Sequence, residues 1–219
     1  MKKAILLAFF SLSLTTTAQA ELLVNPASSA GKNNPQFSAF FKNSSVKMDV
    51  ENVGSGDVDR TIIGASAAYG ITDNADAYFA FGLANDVDYE DLGDGDGTQF
   101  GFGIRGKLPL ENQLTLKGYA QFTSYKEETT ENGVDIEGSG NDIRGGIVAA
   151  SDRGDFVIYG GIDMILSESF EIEAGGVSAD VEHDSSFGFL VGGELSGSMP
   201  LHFQAMFGHE TGFLISASF

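Results

Sequence analysis

Three histidines, His183, His202 and His209, are the only imidazoles in the 219 residues, and there is no cysteine. A thiol nucleophile and a thiolate metal site are therefore excluded, and no disulfide framework can brace the chain. Catalysis needs a nucleophile or an activated water, a base, and a group that orients them. The stretch Glu182-His183-Asp184-Ser185 holds suitable side-chain types. Neighbours in an extended segment point to opposite sides, so the run does not build a triad by itself, and a solvated acidic loop is the more ordinary reading. Asp86, Asp88, Glu90, Asp94 and Asp96 give segment 86–97 the oxygen density of a weak divalent-cation site. The EF-hand spacing is only partly met and no glutamate follows at the closing position, so a plain acidic loop is the commoner explanation. Neither a Walker-type phosphate loop nor a His-x-x-x-His pair occurs. No cofactor and no enzymatic activity are expected.

Such residues matter only if the fold brings them together. Residues 1–20 have the plan of a signal peptide: Lys2 and Lys3, the apolar run Ala4 to Leu14, then Ala18-Gln19-Ala20 as a cleavage pattern. The run is shorter than the roughly 20 apolar residues that a membrane-crossing helix needs. The formal net charge is −19 and loss of Lys2 and Lys3 with the signal makes it more acidic, which argues against a nucleic-acid partner. The 29 glycines show no collagen period.

Beyond about Pro35 the apolar residues repeat with period two. In 75–85, Ala77, Phe79, Phe81 and Leu83 share one face, and Asp76, Tyr78, Ala80, Gly82 and Ala84 share the other. In 98–108, Phe100, Phe102, Ile104 and Leu108 oppose Gln99, Gly101, Gly103, Arg105 and Lys107. Side chains of a strand alternate between faces, so each segment carries one large apolar face and one small or polar face. The pattern predicts ten strands at 36–47, 59–70, 75–85, 98–108, 113–126, 140–150, 155–167, 185–196, 201–208 and 211–219, with eight as the alternative. The first is irregular: Phe37, Ala39 and Phe41 share a face, whereas Val46, Met48 and Val50 have the other parity. A bulge, or an extension past a membrane, would reconcile them. Short connections (71–74, 109–112, 151–154, 197–200) alternate with long acidic ones.

The chain ends on Phe219, with Phe213 and Ile215 on the same parity and Gly212 before them in Glu210-Thr211-Gly212-Phe213-Leu214-Ile215. This end resembles the terminal strand and assembly signal of small bacterial outer-membrane β-barrel proteins, the class with porin-like or opacity-type domains. The resemblance covers about 36–219 and is architectural. Trp is absent, so any aromatic girdle must come from Phe and Tyr. It implies an all-β, antiparallel, up-and-down transmembrane barrel with short periplasmic turns and longer acidic extracellular loops, preceded by a periplasmic segment at 21–35. Outer-membrane lipid, lipopolysaccharide and the barrel assembly machinery are the implied partners, and the oligomeric state is left open.

In a barrel of this class the polar face turns inward. The expected lumen network is Asp76, Arg105, Lys107, Lys117, Asp142, Arg144, Asp163 and Glu194, joined by Lys42, His202 and four tyrosines. The near balance of acids and bases predicts mutual pairing and a narrow lumen. The acids at 49–59, 86–96, 127–137, 168–184 and Glu210 are expected to form an outer crown opposed only by Lys47, Arg60 and Lys126, with His183 and His209 at the rim and Phe170 in the fourth loop. A structural or small-solute porin-like role leads, and a surface adhesin or receptor is the alternative. An outer-membrane hydrolase, which would use such rim residues, comes third.

Overall fold

The computed structural model describes residues 24–26, 29–50, 54–89, 93–111, 113–131, 134–183 and 185–219. The expected signal peptide lies outside them. The described strands are β1 (Pro35–Val50), β2 (Gly54–Thr72), β3 (Ala75–Tyr89), β4 (Gly93–Pro109), β5 (Leu114–Glu131), β6 (Val134–Asp152), β7 (Phe156–Ala174), β8 (Val177–His183), β9 (Phe187–Leu195), β10 (Leu201–Gly208) and β11 (Glu210–Ser218). Consecutive strands pair antiparallel, except that β7 passes to β9, and β11 returns to β1 from Ser38↔Ser218 to Val46↔Glu210. The result is a closed ten-strand barrel, in which β11 pairs with β1 and removes the free edges of the sheet.

The strands are unequal. β1 to β7 run for 15 to 19 residues, whereas β9, β10 and β11 have only 8 or 9. A tilted strand crosses hydrocarbon in about 9–11 residues, so the first seven continue well past it at the end away from the short turns. There β8 takes the place of the three short strands. It pairs with β7 (Glu171↔Asp180 to Ala174↔Val177) and with β1 (Met48↔His183 to Val50↔Val181). Ten strands thus close the lower circuit, and β1 to β7 with β8 close the upper one.

The two circuits have opposite polarity. In the lower part Phe37, Phe79, Phe102, Ile158, Phe189 and Phe203 lie 44 to 55% exposed on the outside, while Lys42, Asp76, Arg105 and Arg144 are buried inside. In the upper part Val46, Val58, Val87, Ile136, Phe170, Ile172 and Val181 are buried inside, and Asp57, Asp59, Glu171 and Glu173 are exposed outside. Bulges make the switch on two strands. On β3 the register skips between Ala84 and Val87, so both point inward. On β7 it shifts where Ile143↔Ser167 gives way to Arg144↔Ile165; Leu166 and Ser167 are both exposed, and Phe170 and Ile172 turn inward. β1 makes the switch without any shift in its pairing to β2, so the irregular parity of Val46 marks an extension past the membrane and not a bulge.

Several expectations are corrected here. Arg60, Glu127, His209 and Glu210 are buried inside and do not belong to an outer crown or rim. Phe170 is not a loop residue; it is buried and stacked on Tyr125 at 5.6 Å. For Glu127, Phe170 and Glu210 the expected strands stop too early and the strands continue beyond them; Arg60 lay within the expected 59–70, and His209 is buried between β10 and β11.

Five inward aromatic rings each face a glycine across the ladder: Phe40↔Gly64, Tyr78↔Gly103, Tyr119↔Gly146, Tyr125↔Gly140 and Tyr159↔Gly192. A Cβ on any of these glycines would fall under 3.0 Å from the facing aromatic side chain. The missing side chain lets the ring lie flat on the wall, which fills the interior and fixes the register. At the β1–β11 seam, a Cβ on Gly212 would come within 2.3 Å of the Asn43 carbonyl oxygen, a backbone atom that cannot swing aside. Gly118 has nothing closer than 3.7 Å. Gly212→Ala should therefore sharply lower the folded fraction on refolding into lipid, read as heat-modifiable gel migration, while Gly118→Ala should match the parent. Equal yields would contradict the seam packing.

Candidate functional site

The interior is built in layers. At the short-turn mouth the chain before β1 folds back into the barrel. Val24 and Asn25 are buried, the Ala30 amide donates to Asp76 at 3.0 Å, and the Asn33 amide donates to the Gly70 carbonyl at 2.8 Å. Arg105 Nη1 donates to the Asn25 carbonyl at 2.8 Å and its Nη2 lies 3.4 Å from Asp76, with the guanidinium 5.3 Å from the centre of the Tyr78 ring. Asn25 Nδ2 donates to Glu194 at 3.2 Å, and Lys107 Nζ reaches Ser29 Oγ at 3.4 Å. Lys117 lies directly opposite Lys107 in the ladder. A small cavity between this segment, Phe40, Arg105 and the serines of β1, β2 and β11 has a volume of about 10 Å³, room for one water.

The middle layer is ionic. Arg144 Nε donates to Asp142 at 2.8 Å, and its Nη1 lies 2.9 Å from Glu210 and 3.6 Å from Asp163. Asp163 also accepts from Tyr119 and from His209 Nε2, the latter at 3.0 Å. Lys42 pairs with Glu210. Arg60 grips Glu127 through two parallel bonds of 2.7 and 3.0 Å. Tyr159 bonds His202, whose Nδ1 lies 3.3 Å from Ser216 Oγ. Above this layer Val46, Val58, Val87, Ile136, Ile172 and Val181 are buried with the Tyr125 and Phe170 rings, in an apolar cluster that continues down to Phe40, Tyr78 and Val24.

Of the residues expected in the lumen, Asp76, Arg105, Asp142, Arg144, Asp163 and His202 are buried there, and Lys107, Lys117 and Glu194 are half-buried nearer the mouth. The charge balance alone suggests that Arg105, Arg144 and Lys117 bond Asp142, Asp163 or Glu194, and the pairings found differ in detail. Arg144 does bond Asp142 and approaches Asp163, but Arg105 takes Asp76, and Glu194 is held by Asn25. Sequence reasoning missed Arg60, Glu127, His209 and Glu210: Arg60 keeps the inward parity within the expected strand 59–70, one more residue on 113–126 and on 211–219 would have reached Glu127 and Glu210, and His209 lies between β10 and β11 off the inward parity of both.

Outside the upper circuit, acids face acids across the ladder: Asp96↔Glu128, Glu128↔Glu137, Glu137↔Glu173 and Glu171↔Asp180. Like charges directly opposite one another destabilise a sheet. Lys126 relieves part of this, bonding Glu128 at 2.7 Å and Glu137 at 3.2 Å in full solvent. Of the candidate cation site, Asp86 and Asp88 lie on β3 and Asp94 and Asp96 on β4, as a hairpin and not an open loop, and Glu90 lies outside the described residues. Among the described residues no three His, Asp or Glu side chains are grouped to hold a metal ion. His183 pairs in the backbone with Met48, and Asp184 lies outside the described residues.

This closed barrel, greasy outside and polar inside where it meets lipid, is an outer-membrane β-barrel, and the cell outer membrane is its location. No family model matches the sequence, and no curated protein sequence matches it. Among solved structures, the outer membrane protease OmpT from Escherichia coli is similar with a TM-score of 0.54 at 9% identity, covering 89% of this chain and 98% of that one. The translocator domain of the autotransporter NalP from Neisseria meningitidis is similar with a TM-score of 0.53 at 10% identity, covering 88% and 89%. At such identities the likeness is one of fold, and a protease and a translocator domain share it, so the fold does not choose an activity.

The ionic layer sets a stability expectation. Removing Arg144 takes the cation from Asp142 and one partner each from Asp163 and Glu210, a loss of about 3–5 kcal/mol for a dry pair. Removing the exposed Lys126 should cost far less, because solvent screens its pairs. Urea unfolding of Arg144→Ala and Lys126→Ala in lipid vesicles checks this; similar midpoints would mean that water reaches the Arg144 layer freely.

Proposed function

We propose that the protein is a sealed, non-catalytic barrel that works through its outer surface, presenting the acid-bearing upper circuit to partners, and not as a pore. The observation that carries this reading is the filled interior. Val24, Asn25, Pro26 and the Arg105 and Arg144 groups occupy the lower part, and valine, isoleucine and aromatic side chains occupy the upper part. An apolar layer of this kind is a barrier to ions even where polar groups lie beneath it. The small-solute porin-like role needs a polar path through that layer, and so becomes the second reading.

Catalysis has little support in the interior, because His209 and Asp163 are walled in at 4 and 5% exposure. At the surface, the reading makes lipopolysaccharide a partner, with divalent cations bridging its phosphates to the facing carboxylates of β4 to β8. The assembly machinery would read the Gly212 to Phe219 end before closure.

Purified protein in planar bilayers should give no steady single-channel current, and deletion of residues 24–34 should leave it silent because the upper layer remains. A stable conductance in the parent would overturn the sealed reading in favour of the porin-like one. Withdrawal of calcium and magnesium should loosen the outer hairpins, seen as faster amide exchange in the upper parts of β4 to β7, and weaken lipopolysaccharide association. Unchanged exchange and association would remove the cation bridge from the account.

A further inference from the structure

Glu210 begins β11, the strand that closes the barrel, and only 2% of it is exposed. Two cations from different walls converge on its carboxylate. Lys42 comes from β1, across the seam that β11 makes with the first strand, and Arg144 Nη1 comes from β6, across the lumen, at 2.9 Å. Arg144 is already anchored on its own strand through Asp142 at 2.8 Å, so the guanidinium is in place independently of β11. Until the last strand arrives, both cations face a lumen without their shared carboxylate. We propose that Glu210 is the latch of the barrel: clamped between Lys42 and Arg144, it holds the β1–β11 seam shut and selects its register.

The register argument is geometric. Glu210 stands opposite Val46, the last rung of the seam. A slip of one residue would turn every side chain of β11 to the other face. Glu210 would then be turned out of the lumen, and Lys42 and Arg144 would both lose the carboxylate they share, so the error is penalised on both sides of the wall. The polar residue of the terminal segment therefore has a structural use once the barrel is closed, and it is hidden from solvent from then on. Another buried pair, Arg60 with Glu127, joins β2 to β5 and lies outside the β1–β11 seam, which makes it the natural control.

The test uses the full chain refolded into lipid vesicles, with amide exchange followed strand by strand. Glu210→Gln and Lys42→Gln should raise exchange in β1 and β11 by about tenfold relative to β4 and β5, a sub-global opening confined to the seam. Arg60→Gln should not favour the seam. Because the chain has no cysteine, a disulfide can be placed across the seam at Ser38→Cys and Ser218→Cys, whose hydroxyls are 2.8 Å apart. Oxidation of that pair should return the Glu210→Gln barrel to near-parent seam exchange and should do nothing for Arg60→Gln. If Glu210→Gln does not fold by itself, folding once the oxidised pair is present supports the latch, and failure to fold with it counts against it. Uniform loosening of all strands, an unaltered seam, or equal rescue of both variants would overturn the proposal.

Discussion

A strand that leaves a membrane passes from a solvent that accepts only apolar side chains to one that accepts polar ones, while its own backbone must stay paired throughout. Every other feature of this barrel follows from meeting that change on continuous strands. Below the boundary the outward positions are Phe, Ile and Leu and the inward ones are Lys, Arg, Asp and Tyr; above it the roles are exchanged. Since alternate residues face opposite ways, the exchange needs either a change in which parity is apolar, as at Val46 on β1, or a bulge that shifts the phase, as at Leu166 and Ser167 on β7.

The exchange determines what the interior can be. Charges that cannot face lipid must be neutralised within the barrel, and a bidentate pair such as Arg60 with Glu127 does this with its hydrogen-bonding groups directed at each other. Once the strands rise past the lipid, inward apolar residues become the economical filling, and three strands too short to follow are replaced by β8. The upper circuit is therefore a small soluble-type barrel standing on a membrane-type one. Its exterior is free to be acidic, and the facing carboxylates of β4 to β8 are a property of surface chemistry that the fold itself does not require.

The sequence shows the lower barrel clearly because a large apolar residue at every second position over about ten residues has few other uses. Phe79, Phe81 and Leu83, or Phe100, Phe102 and Ile104, place their strands without help, and Asp76 and Arg105 follow from parity. The upper circuit is harder to read. Val58 and Val87 are isolated valines among acids and glycines, and Val181 sits in a stretch whose acids suggest a loop. Pairing between β8 and β1 joins residues more than 130 positions apart, which no local pattern encodes. Arg60, Glu127 and Glu210 look like surface charges because the boundary, and not the residue type, decides their side. The parity change between Phe41 and Val46 was the one local sign of the inversion.

The inversion can be read along a single strand. In a chain without cysteine, single cysteines placed in turn from Ile158 to Glu173 on β7 can be probed in lipid vesicles with a membrane-soluble and a water-soluble thiol reagent. The account predicts that Ile158, Ile162, Met164 and Leu166 react only from the lipid, that Ser169, Glu171 and Glu173 react only from water, and that Phe170 and Ile172 react with neither. A water-soluble reagent that labels positions 170 and 172, or a lipid pattern that keeps its phase through 166 and 167, would contradict it.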